Sequence, residues 1–135
     1  MSVIKSKRKT SVVEYVYNAR LLAKYTISRC INFSKRYTFY VSTDLSDTAK
    51  AIYDKVIRAN AIYPNNQHDL QMRRDLLIGA KLDLYSLISK IELAYEILDF
   101  KESSMIYWLG LVDKELRLVK GVIEKDKERF NSLKE

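Results

Sequence analysis

The stretch LQMRRDLLIGAKLDLYSLISKIELAYEIL, residues 70–98, decides the fold. Leu70, Leu77, Leu84, Ile91 and Leu98 recur every seven residues. Ala80, Leu87 and Ala94 fill the intermediate d-type positions, and Arg73 is the exception near the start. A sustained apolar heptad is the packing seam of a long helix in a bundle or coiled coil. Upstream of it, Pro64 is a helix stop and Asn65-Asn66-Gln67-His68 is a polar turn. Before that stop, Leu45, Ala49, Ile52, Val56, Ala59 and Tyr63 step by four and three. They predict a helix that starts near 42–44, where Asp44 and Asp47 suit its positive end.

Downstream, 101–104 is a short polar break. Met105, Leu109, Val112, Leu116, Val119, Ile123 and Phe130 then predict a helix to about residue 130. Gly110 and Gly121 lie inside it. Each costs about 1 kcal/mol in helix propensity against Ala, so each is expected to mark a close contact. The first helix is predicted over 11–33, with Ser11 as its cap and Glu14 three residues later in a capping-box arrangement. Its small face is Val12, Val16, Ala19, Ala23, Thr26, Cys30 and Phe33, while Leu21, Leu22 and Tyr25 are apolar elsewhere. A helix apolar on more than one side is expected to touch another subunit. Between the first two helices, 34–43 reads as an extended connection, with the strand-like composition Thr38-Phe39-Tyr40-Val41.

The expected fold is therefore all-α: an antiparallel up-down four-helix bundle over 11–135, preceded by a flexible basic arm at 1–10. Composition agrees. The 135 residues hold 3 Gly and 1 Pro, too few turn residues for a sandwich or barrel. One cysteine allows no internal disulfide and fits a reducing compartment. The longest clean apolar run, 106–112, is far short of the roughly 18 residues of a membrane span, and the apolar part of the first ten residues is too short for a signal-peptide core. A soluble, cytoplasmic protein with no membrane partner is expected.

The formal charge of +7 is unevenly placed. Residues 1–40 hold nine bases (Lys5, Lys7, Arg8, Lys9, Arg20, Lys24, Arg29, Lys35, Arg36) against Glu14, a net of +8. The other 95 residues carry fifteen bases and sixteen acids. Clustered positive charge is the footprint of a polyanion binder; its plain alternative is a solubilising face and tail.

Catalytic and metal constellations are hard to assemble. A di-iron bundle needs Glu-x-x-His motifs, and the one histidine, His68, has Asn65 three residues before it. Glu92 and Glu96 flank the heptad seam and read as solvated. One Cys and one His cannot build a zinc site, and no Gly-rich phosphate loop or nucleophile elbow is present. Cys30 reads as a buried, inert thiol, and Tyr17, Tyr53, Tyr63 and Tyr95 as packing residues. No catalytic residue, metal or cofactor is expected.

The segment FSKRYTF, residues 33–39, sets Lys35 and Arg36 between aromatics. Bases contact phosphates and exposed rings stack on unpaired bases. Alternatively, Phe33 and Phe39 pin the connection to the core while the two cations stay solvated. This segment resembles the signature aromatic-Pro-Lys-Arg-x-x-Phe of the accessory variability proteins of diversity-generating retroelements. Phe33, Lys35, Arg36 and Phe39 match it. The helix order over about 15–130 and the ending at Lys120, Gly121, Lys125 and Lys127 are also similar. Ser34, Ser42 and Val122 depart from that pattern, standing where Pro, Gly and Gly are usual. The superfamily includes four-helix proteins encoded in intervening sequences of 23S ribosomal RNA.

The resemblance implies a non-enzymatic, homopentameric partner of a reverse transcriptase whose basic surface contacts RNA or DNA. Lys5, Lys7, Arg8, Lys9, Arg20, Lys24, Arg29, Lys35 and Arg36 are then the expected nucleic-acid-binding residues. A stand-alone RNA-binding or ribosome-associated protein of the intervening-sequence type, and a purely structural protein-interaction bundle, are the competing expectations.

Overall fold

A heptad seam needs other helices to bury it, and the chain supplies three. The computed structural model describes residues 13–133, which form α1 (Glu14–Ile31), α2 (Thr43–Ala61), α3 (Gln67–Leu98) and α4 (Glu102–Arg129), with no strand among them. The Ser11 cap, Val12 and the 1–10 arm with Lys5, Lys7, Arg8 and Lys9 lie outside the described residues. Each helix packs against its neighbour in the chain, and α1 also packs against α4, as in a bundle.

The core follows the predicted steps. On α3 it takes Leu70, Leu77, Ala80, Leu84, Leu87, Ile91 and Ala94, and on α2 Leu45, Ala49, Ile52, Val56 and Ala59. On α1, Ala19, Ala23, Thr26 and Cys30 are buried as expected, joined by Tyr15, Asn18 and Leu22. Leu22 is thus spent inside the protomer rather than on a neighbouring subunit. Tyr53 packs on the core and Tyr95 on Phe100, but Tyr17 is half-exposed and Tyr63 largely exposed. Tyr63 keeps an edge-on contact with Phe130, at 5.7 Å between centroids.

The boundaries have local causes. The Asn66 side chain accepts from the Asp69 amide at 2.8 Å, and Asp69 Oδ2 accepts from the Asn65 amide at 3.2 Å, a reciprocal cap. That cap draws Gln67 and His68 into the helix, so the polar turn is shorter than predicted. Asp99 ends α3 in the left-handed region, φ 52°.

The 34–43 connection differs from the extended expectation. It is wound: a 3-10 turn at Lys35–Tyr37 runs into a π turn at Thr38–Ser42, which continues into α2. Winding satisfies the backbone groups locally where no strand partner exists, and it buries Val41 and Ser42.

The core also holds polar groups. Arg73, the break in the heptad, donates Nε to Asp126 Oδ2 at 2.6 Å and Nη2 to Asp126 Oδ1 at 3.3 Å. Its Nη1 caps the end of α2 through the carbonyls of Ala59 and Ile62, both at 3.1 Å. Glu115 is fully buried. Asn18 Nδ2 donates to its Oε1 at 3.1 Å and to the Leu111 carbonyl at 3.2 Å. Burial is the main force pushing the Glu115 carboxyl up to about 8, against the smaller opposing effect of the Asn18 hydrogen bond. Trp108 Nε1 donates to Thr26 Oγ1 at 2.9 Å.

Gly110 and Gly121 do not mark close contacts: a Cβ at either would meet nothing within 4 Å. The tight site is Gly79, where a Cβ would sit 3.3 Å from Lys55 Cδ and Cε. Lys55 crosses there to pair with Asp83. Gly110→Ala and Gly121→Ala should therefore each raise stability by about 0.5–1 kcal/mol, read as a shift in urea midpoint at constant m-value. An unchanged or lowered midpoint would show that the gap is occupied.

Candidate nucleic-acid interface

At 3.6 residues per turn, Arg20, Lys24, Ile27 and Ile31 fall along one stripe of α1, opposite the buried face. Arg20 and Lys24 are exposed on it. Arg29 is two and a half turns from Arg20 and so lies about 180° away. It faces α4, where Nη1 donates to Ser104 Oγ at 3.1 Å and the guanidinium lies 6.0 Å from the Tyr25 ring centroid. The five described basic residues are thus not one surface: Arg29 belongs to the α1–α4 seam.

Lys35 and Arg36 are exposed on the 3-10 turn. Arg36 lies 5.2 Å over the Tyr37 ring. Lys35 faces an open cavity of about 460 Å3 that Ile27 and Ile31 also line, so it extends the Arg20–Lys24 stripe. None of Arg20, Lys24, Lys35 or Arg36 pairs with an acid among the described residues. The ion pairs found join other residues, such as Lys50–Asp47 and Lys90–Asp44. Unneutralised cations leave a field that a polyanion can answer.

The aromatics split. Phe33 is partly buried on the core and stacks at 5.5 Å on Phe100, as the pinning alternative requires. Phe39 does not pin anything: it is 89% exposed, and Tyr40 beside it 84%. Two rings in water next to two unpaired cations are an arrangement that burial does not explain.

The sequence reading missed the α2 side of this surface. Thr43, Ser46, Asp47 and Lys50 share one face of α2 and line the same cavity. Their i, i+3, i+4, i+7 spacing was the available signal, masked by the neutral charge balance of that segment. Cys30 lines the cavity from behind. It is buried, and burial pushes its thiol up despite a hydrogen bond with Ser46, so it holds little thiolate. Among the described residues no group of three or more His, Cys, Asp or Glu could hold a metal, and no helix is long and apolar enough to cross a membrane. Glu92 and Glu96 are exposed. Comparison with family models, with curated proteins and with solved structures found no match to this chain.

Proposed function

We propose that the chain is a non-enzymatic nucleic-acid-binding protein whose binding face is Arg20, Lys24, Lys35 and Arg36, with Phe39 and Tyr40 at its edge. The observation that carries this reading is that the four cations lack acidic partners while two adjacent aromatic rings stand in solvent. Phosphates neutralise the first and base faces cover the second. Arg29 is dropped from the set as a seam residue, and Lys5, Lys7, Arg8 and Lys9 join it as a basic arm. The four helices run up and down, antiparallel, which sets the α1–α2 connection at one end of the bundle. The resemblance to retroelement accessory proteins supports a reverse transcriptase as the protein partner, a cytoplasmic setting and a homo-oligomer; the number five rests on that resemblance alone. A protein-interaction role is favoured separately by Leu82, Leu93 and Ile106, which are exposed on α3 and α4.

Charge reversal tests the reading. Lys35→Glu combined with Arg36→Glu should weaken binding of labelled RNA tenfold or more at low salt. It should also reduce the log K against log salt slope by about 0.7 per lost single-strand contact. Helicity should not change, because both side chains are exposed. The equal charge change at Lys81 and Lys127 should cost much less. Binding indifferent to salt, or equal losses in the two double variants, contradicts the assigned face.

A further inference from the structure

Resting on the reading above, we infer that the cavity between α1, the π turn and α2 receives one unpaired nucleotide of a bound strand, which makes the protein selective for single-stranded nucleic acid. The first observation is an orphaned donor. Ser42 is 7% exposed, and its Oγ finds no hydrogen-bond partner among the described residues although it lines this cavity. A buried hydroxyl without a partner is costly, and such groups in folded proteins call for a ligand or water to complete them. The second observation is where the donor lies. Ser42 closes a π turn, a rare widened winding that is frequent at functional sites.

The lining matches a nucleotide in its parts. Ile27 and Ile31 give an apolar wall for the face of a base, and Ile31 is 75% exposed in the free protein. Lys35 stands on the lining as a phosphate ligand, Lys50 is paired with Asp47 at 3.5 Å on the far side, and Ser42 and Ser46 offer hydroxyls to a base edge or a sugar. A volume of about 460 Å3 is within the range of small-molecule sites. A phosphate alone would leave the apolar wall uncovered, and a paired base cannot present its face to it. A duplex therefore reaches only the cations, whereas a single strand uses the whole site.

The test compares a fluorescein-labelled 12-nucleotide RNA with the blunt duplex of the same length, at one salt concentration. Pure electrostatics favours the duplex, which has the higher charge density. The expected result is the reverse: the single strand binds at least fivefold tighter. Ser42→Ala should lower single-strand affinity threefold or more and leave duplex affinity unchanged. The free Ser42→Ala protein should melt at the same or a higher temperature, because its orphaned hydroxyl is gone. Ile31→Ser, at an exposed position, should show the same selective loss. A duplex that binds as tightly as the single strand overturns the inference while sparing the nucleic-acid reading; so does single-strand affinity unchanged in both variants. Absence of binding to either RNA at low salt defeats both.

Discussion

Asp126→Ala should destabilise the fold by about 3–5 kcal/mol, the largest effect expected of any single substitution here. The reason lies in what it leaves behind. Arg73 is buried, and Asp126 accepts two of its donors while the end of α2 takes a third. Removing the carboxylate leaves a guanidinium charge out of water with only carbonyls for company. Urea unfolding of the variant checks the magnitude, since a domain under 150 residues is expected to unfold in one step. A second protein separates the value of the pair from the penalty of breaking it. Replacing both partners by apolar residues of similar volume, Arg73→Met with Asp126→Leu, should recover most of the loss. The recovery will be incomplete, because the carbonyls of Ala59 and Ile62 lose their cap. A single variant within about 1 kcal/mol of the parent would mean that the pair is solvated.

The second large effect is a dependence on pH. Glu115 has a carboxyl pushed from 4.5 to about 8, chiefly because it is fully buried. The neighbouring charges are Lys114, which opposes the shift slightly, and Glu14, which adds to it slightly. Below pH 4.5 the carboxyl is protonated folded and unfolded, and it contributes no slope. Between 4.5 and 8 the folded state holds a proton that the unfolded state has lost, so stability falls as pH rises. Across that window the loss amounts to about 5 kcal/mol, and above pH 8 this group adds no more. The proton also has a structural use. Glu115 Oε2 and Asn18 Oδ1 are both buried without partners, and a neutral carboxyl can donate to the amide oxygen of the residue that already donates to it. Glu115→Gln should flatten the profile, leaving the variant more stable than the parent at about pH 9. A parent profile that is already flat from about pH 5 to 8 would rule out a buried neutral acid. Tyr15, raised above 10 mainly by burial, acts only beyond this window.

Both predictions concern residues that the sequence half disclosed. The heptad of α3 is plain because one spacing repeats from Leu70 to Leu98, and its break at Arg73 is visible as a break. The partner of Arg73 is not, since Asp126 lies 53 residues away and complementarity across a bundle leaves no periodic trace. Glu115 falls one position before Leu116 and is not among the apolar positions that predict α4. The connection misleads for a different reason. Thr38, Phe39, Tyr40 and Val41 favour strands, but a strand needs a neighbour, and about ten residues are too few to display a helical period. The binding face is legible as charge and not as shape. Counting places Arg29 with Arg20, and only the helical angle separates them.

The π turn carries one more consequence. A π winding advances the chain by more residues per turn than α does, so it takes up an extra residue with little change of phase between the short turn before it and the helix after it. Taking one residue out of Thr38–Ser42 would let the segment wind as α. Four α residues turn the chain by about 400°, roughly what five π residues do, so the short turn upstream would keep its heading. Lys35 would stay beside the cavity, while the widened turn that Ser42 closes would be lost. The extra residue is therefore held as local width next to the cavity and leaves the basic turn in register with the core.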